Sequence, residues 1–338
     1  MRSLRRIGDN KFFLALALSV GFVAMFELGW RVANGWTRHW LDCHRYHPQL
    51  GWSLRENWAG RFSWTGGYSR INAQGIRDDY PVGLKAPDER RLLILGDSVT
   101  FGAKVLTHDA YPYRLQQALL SRGLRWRVLN GGVTAYDASQ EAEWLELFGL
   151  HLEPDVVAVQ FHPNDLNPSA RHGRLEKTFV GPVGRWLSEN SVLAYKTQRA
   201  LLTLYAYALS ALGHPSPATA KSEDLVGGWQ SVEQAYRRIA SVARGKNLPV
   251  MLIVFHTPDR LPDFEVDDLS PKLRSLAKEL GWEILDLAPA LRISSASLFL
   301  PSTHPSPAGH LRIARYVARE LLQRDFLPKA ARAGRGSF

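Results

Sequence analysis

Apolar positions follow three different rhythms along this chain. From Phe12 to Trp30 they run almost unbroken, as FFLALALSVGFVAMFELGW, with Glu27 the single charge. At about 1.5 Å per residue that run matches the thickness of a hydrocarbon core. Its Leu, Val and Phe residues are worth about 3 to 6 kcal/mol of insertion, whereas an acid near a helix end costs less than the ~3 kcal/mol it would at the centre. A transmembrane anchor over 12–30 is therefore expected. Arg2, Arg5, Arg6 and Lys11 make 1–11 a basic N-terminus, a flank that also suits a signal peptide. No small-x-small cleavage site follows at the right distance, which favours an uncleaved anchor. Those four cations, against Arg31, Arg38 and Arg45 after the run, predict a cytoplasmic N-terminus, with the rest of the chain on the periplasmic side of a bacterial inner membrane.

Residues 31–90 show no sustained period and are rich in Trp, Gly and Arg, as in GWSLRENWAG and INAQGIRDD. They predict a few short strands or loops packed on a main domain, with Trp36, Trp40, Trp52 and Trp58 as the packing residues or as interfacial residues near the membrane. Over 91–325 short apolar runs alternate with helix-length segments. RRLLILG, WRVLNGG, PDVVAVQF, PVMLIVF and EILDL read as strands; helices are expected around 110–121, 139–150, 229–244 and 269–280. Ser306 then caps a last helix that begins at Pro307 and carries Leu311, Ala314, Val317, Ala318, Leu321 and Leu322 on one face. The alternation predicts an α/β fold: a doubly wound, parallel, five-stranded sheet in a three-layer α/β/α sandwich, with ligands beyond the carboxyl ends of the strands. Residues 166–226 break the rhythm with one or two apolar helices, a helical insertion readable as a lid, a packing elaboration or a membrane-surface element. The basic tail 326–338 reads as a solvated end.

Composition narrows the classes. The 338 residues are 45% hydrophobic and 22% charged, which excludes disordered, collagenous and coiled-coil chains. The net charge of +10 invites an anionic partner, yet the cations are scattered and not interleaved with aromatics, so no nucleic acid is expected. The lone Cys43 permits neither an internal disulfide nor a cysteine zinc site. His304 and His310 lie six apart, off the i, i+4 spacing of a helical metal pair, and His151, His172 and His214 read as surface residues. Neither phosphate-loop pattern occurs, and no metal or cofactor is expected.

The chemistry-bearing residues gather at one predicted edge. Gly96-Asp97-Ser98 follows the first strand, with Gly102 shortly after; Asn130-Gly131-Gly132 ends the second, Asn164-Asp165 follows the third, and His304 precedes the last helix. Any one of these is explained by a turn or a cap. Four together form a nucleophile, base and oxyanion-hole constellation: Ser98 attacks, His304 takes and returns the proton, and the N–H groups of Ser98 and Gly132 with the Asn164 amide hold the oxyanion.

On those residues the chain resembles the SGNH (GDSL-type) hydrolase superfamily over roughly 90–325, interrupted by 166–226. Its serine block is similar to 96–98, its glycine block to Gly132 in VLNGGVTAYDASQE, its asparagine block to Asn164 in HPND, and its histidine block to His304. The stretch from DCHRYHPQLGW through INAQGIRDD to GDSVTFG resembles membrane-anchored members associated with bacterial polysaccharide modification. The resemblance implies a flavodoxin-like SGNH fold and a serine esterase or O-acyltransferase acting on acyl esters of an extracytoplasmic polysaccharide.

Two positions depart from that pattern. His162 stands where the asparagine block usually begins with glycine. Pro301 stands three before His304, where an aspartate normally orients the base; such an acid is worth about 10⁴ in rate, near 5.5 kcal/mol. A backbone carbonyl or Asp259, after the strand ending at Phe255, is the candidate replacement. A lipase or acyl-thioesterase, suggested by the apolar insertion, and a non-catalytic glycan-binding or assembly subunit, suggested by Pro301, are the rival functions. Oligomeric state is not legible.

Overall fold

The computed structural model describes residues 2–33, 43–61, 68–166, 181–211, 222–257, 269–292, 295–301, 304–324 and 326. Helix α1 covers Arg2–Ala33, and its Phe13–Ala33 portion is the one stretch among the described residues long and apolar enough to cross a membrane. Next come four short strands, β1 (His44–His47), β2 (Gly51–Leu54), β3 (Trp58–Arg61) and β4 (Tyr68–Ile71), which pair as two antiparallel ladders.

The alternating region then unfolds as β5 (Arg90–Gly96), α2 (Ser98–Phe101), α3 (Tyr111–Leu120), β6 (Trp126–Gly132), α4 (Ala138–Leu147) and β7 (Val156–Phe161). Two helices, α5 (Gly181–Asn190) and α6 (Val192–Ala211), interrupt it. It resumes with α7 (Ser222–Gly245), β8 (Val250–Val254), α8 (Leu269–Leu280), β9 (Glu283–Asp286), the short α9 (Ala288–Leu291) and α10 (Ser295–Leu298), and α11 (Pro307–Gln323). The five strands β5 to β9 form one parallel sheet in the order β6-β5-β7-β8-β9. This is the doubly wound, three-layer α/β/α sandwich that the alternation predicts.

Each buried strand serves two cores because side chains alternate across a sheet. Leu93 and Leu95 of β5 join Val157, Val159, Leu252, α4 and α7 on one face. Leu92 and Ile94 join Val156, Ala158, Ile253, α3 and α11 on the other. The β1–β4 region packs on the first face through Leu50, Leu54, Trp58 and Ile71, as its aromatic content suggests. Trp36 and Trp40 lie outside the described residues. The last helix begins as expected, Ser306 Oγ accepting from Gly309 N at 3.2 Å.

The described residues divide into two units. Helices α5 and α6 cluster with α1, not with the sheet domain, while α7 starts at Ser222, inside the stretch assigned to the insertion, and belongs to the sheet domain. Within the first unit Glu27 Oε1 accepts from Ser191 Oγ at 2.5 Å and from Leu193 N at 2.9 Å, and Arg31 Nη2 donates to Asn190 O at 2.7 Å. The one acid of the apolar run thus sits at the N-terminus of α6, where unsatisfied N–H groups and the helix dipole favour a negative charge.

Candidate active site

The turn from β5 into α2 is shaped by Asp97. Its Oδ1 accepts from Val99 N at 2.8 Å and caps α2, while its Oδ2 accepts from Asn164 Nδ2 at 2.8 Å. Gly96 admits this turn because a Cβ there would lie 2.2 Å from Thr100 Oγ1. Thr100 donates to Gln160 Oε1 at 2.6 Å, so the Tyr111 hydroxyl donates to Thr100 at 2.8 Å. That buried chain ties α2, β7 and α3 together behind Ser98.

Ser98 is partly exposed and faces His304, whose Nε2 lies 3.0 Å from Ser98 Oγ across 206 residues of sequence. Burial lowers the His304 pKa below its ordinary 6.5, with Lys104 and His162 adding to the effect and Asp97 opposing it. A neutral imidazole at hydrogen-bond distance from a hydroxyl is poised to accept its proton. If His304 is the base, the acid limb of a pH–kcat/KM profile is expected at a midpoint below 6.5. Steady-state ester hydrolysis over pH checks this; a midpoint above 6.5 contradicts it.

Asn164 is held from two sides. Besides the bond to Asp97, its Oδ1 lies 2.6 Å from His162 Nδ1, and His162 stacks on Phe255 with ring centroids 5.4 Å apart. Asp97 accepts from Asn164, so Nδ2 faces it and Oδ1 faces His162 Nδ1, which also accepts from Asn164 N at 3.1 Å. His162 fills the space that glycine would leave open and orients the Asn164 amide. Asp165 closes the turn by accepting from His162 N at 2.8 Å. Burial, with the neighbouring carboxylates, raises the Asp165 and Glu141 pKa values well above the usual carboxylate range.

Gly132 is the expected second backbone donor of the oxyanion hole. It is buried at the end of β6, and its N–H donates to Asn130 Oδ1 at 3.0 Å. Glycine is required there for packing, since a Cβ would stand 2.3 Å from Phe101 N and 2.7 Å from Thr100 C, both backbone atoms. Gly132→Ala should therefore cost about 1 to 3 kcal/mol of stability by overpacking. A denaturant midpoint shifted down at unchanged slope is the expected result; an unchanged midpoint contradicts the packing account. The next turn, closed by Tyr136 N to Val133 O at 3.1 Å, exposes Ala135 at φ +61.

The segment before the sheet buttresses both loops, which sequence reasoning missed. Buried Arg77 donates to Phe101 O and Val105 O at 2.7 Å each, and to Gly102 O, with its guanidinium 4.6 Å from the Phe101 ring centroid. Desolvation lowers its pKa to about 10. A lone Arg in QGIRDD carries no signal beyond its glycine neighbour. Trp52 Nε1 donates to Thr134 O at 3.1 Å, Tyr136 Oη donates to Trp52 O at 2.7 Å, and His44 Nε2 meets Thr134 Oγ1 at 2.7 Å.

Ser98, Asn164 and His304 are thus brought to one edge, as expected. Asp259 lies outside the described residues. His310 is wholly buried, its pKa lowered to about 3 by desolvation, and its Nδ1 accepts from Tyr111 N at 3.2 Å, a packing role. Among the described residues no group of three or more His, Cys, Asp or Glu is arranged to hold a metal.

No curated protein matches the sequence. Among solved structures, TesA shares 15% identity at a TM-score of 0.45, over 69% of this chain and 98% of its own. A catalytic mutant of Axe2, an acetylxylan esterase from Geobacillus stearothermophilus, shares 17% at 0.42, over 69% and 94%. A two-domain esterase (CEX) active on acetylated mannans shares 14% at 0.45, over 71% and 50%. The sequence model of one family matches residues 94–312, more than half of the chain, and this protein belongs to that family, the GDSL-like lipases and acylhydrolases.

Proposed function

We propose that this protein is a serine esterase or O-acyltransferase working through an acyl-enzyme on Ser98. The observation that carries the reading is the 3.0 Å approach of His304 Nε2 to Ser98 Oγ, with the imidazole held neutral by burial. His304 takes the Ser98 proton as Oγ adds to the ester carbonyl, and returns it to the leaving alkoxide. Negative charge on the carbonyl oxygen is met by the Ser98 N–H at the start of α2 and by the second Nδ2 hydrogen of Asn164. Gly132, the third expected donor, holds its N–H on Asn130 Oδ1 at 3.0 Å, and its share in the oxyanion hole requires that bond to give way. The acyl group then passes to water or to a sugar hydroxyl.

The substrate we assign is an acetyl ester on an extracytoplasmic polysaccharide, with α1 spanning the bacterial inner membrane. This rests on the resemblance of 42–102 to anchored polysaccharide-modifying members and on the length and apolarity of Phe13–Ala33. Pro301 leaves the orientation of His304 to another acceptor, and Asp259 remains the carboxylate to test. The reading is tested by comparing p-nitrophenyl acetate with long-chain p-nitrophenyl esters on the full-length protein in detergent. Preference for acetate supports it, and preference for the long chain favours a lipase or thioesterase.

A further inference from the structure

Helices α5 and α6 carry apolar residues on outward faces. On α5, Val183, Trp186 and Leu187 recur at i, i+3 and i+4, and Val183 and Trp186 are 71% and 64% exposed. On α6, Leu193, Leu201 and Leu204 recur at i, i+8 and i+11, the last two 60% and 64% exposed. A water-facing helix normally puts its polar residues outward, and exposed apolar residues gathered on one face mark an interaction surface.

The location of this surface selects its occupant. Ser191, between the two helices, donates to Glu27 and caps α6 by accepting from Ala194 N at 3.0 Å, while Arg31 donates to Asn190 O. Glu27 and Arg31 stand six and two residues before the end of the apolar Phe13–Ala33 stretch, so the helix junction is held within about 9 Å of that end, at 1.5 Å per residue. That is the depth at which amphipathic helices settle between headgroups and acyl chains. Lys196, exposed on α6, keeps a charged head available to headgroup phosphates, and Trp186 is the residue type enriched at the same level. On α1, in the same unit, the side chains of Phe22, Met25 and Leu28 are exposed as well.

We propose that α5 and α6 form an interfacial membrane element fastened to the anchor by Glu27 and Arg31, with Val183, Trp186, Leu187, Leu201 and Leu204 facing the lipid boundary. The inference rests on α1 spanning a bilayer, and the test separates the two.

In a Cys43→Ala background, single cysteines replace Leu187, Leu204, Leu18 or Leu84, all exposed positions, and carry the environment-sensitive fluorophore NBD. The full-length variants are reconstituted in phosphatidylcholine–phosphatidylglycerol vesicles containing lipids with doxyl quenchers placed shallow or deep on the acyl chains. Leu18 is expected to lose emission most to the deep quencher, Leu187 and Leu204 to the shallow one with a blue shift, and Leu84 to neither. Quenching at Leu18 with water-like emission at Leu187 and Leu204 overturns the interfacial element and leaves the anchor standing. Blue-shifted emission at Leu187 and Leu204 without lipid quenching also overturns it, in favour of a protein partner. Absence of quenching at Leu18 overturns the anchor and the inference with it.

Discussion

Replacing Ser98 by alanine is expected to lower kcat/KM for an acetyl ester by about 10⁴-fold or more, and His304→Ala by a similar factor, because nucleophile and base act as one unit. The double variant should be no worse than either single one beyond a few-fold, since removing either partner already abolishes the covalent route. Both side chains are partly exposed and lie outside the two apolar cores, so melting temperature should stay close to that of the parent. Initial rates with p-nitrophenyl acetate, alongside thermal unfolding, check both statements. Losses that multiply in the double variant would mean that the two groups act independently.

Asn164→Ala is the second large effect. It removes one oxyanion donor, a change that typically lowers kcat by about 10² to 10³, near 2.7 to 4 kcal/mol of barrier. KM should move little, because the ground-state ester carbonyl makes less use of that donor than the oxyanion does. Asn164→Asp should be at least as damaging, since it places an acceptor where Asp97 Oδ2 now receives a proton from Nδ2 at 2.8 Å. Full kcat and KM determinations distinguish this from a binding role, for which KM would rise while kcat held.

The fold and the approach of Ser98 to His304 were legible from local signals. Strand-length apolar runs and the Ser306-Pro307 helix start report on their own neighbourhoods, and the convergence of Ser98, Asn164 and His304 follows from strand ends and adjoining loops sharing one sheet edge. What escaped depends on contacts between residues far apart in sequence. A glycine that offers its N–H and a glycine that makes room look identical in a sequence, and only the structure shows the backbone of Thr100 and Phe101 closing on Gly132. Arg77 reaches its carbonyls 24 to 28 positions ahead without any periodic mark. Glu27 looked like a tolerated acid in an apolar run, yet it accepts from Ser191, 164 residues away, and that bond assigns the insertion to the anchor. His162 was visible as a departure from the glycine pattern, but only its place against Asn164 and Phe255 gives it a role.

The most direct test of an activated Ser98 is the intact mass of full-length protein after exposure to a fluorophosphonate, with Ser98→Ala and His304→Ala treated in parallel. A single covalent adduct on the parent, absent from both variants, is the predicted result, and it would place the nucleophile and a working base where the 3.0 Å contact puts them. A folded parent that takes up no adduct would contradict the account and point to a GDSL-type domain that binds acylated glycans without cleaving them.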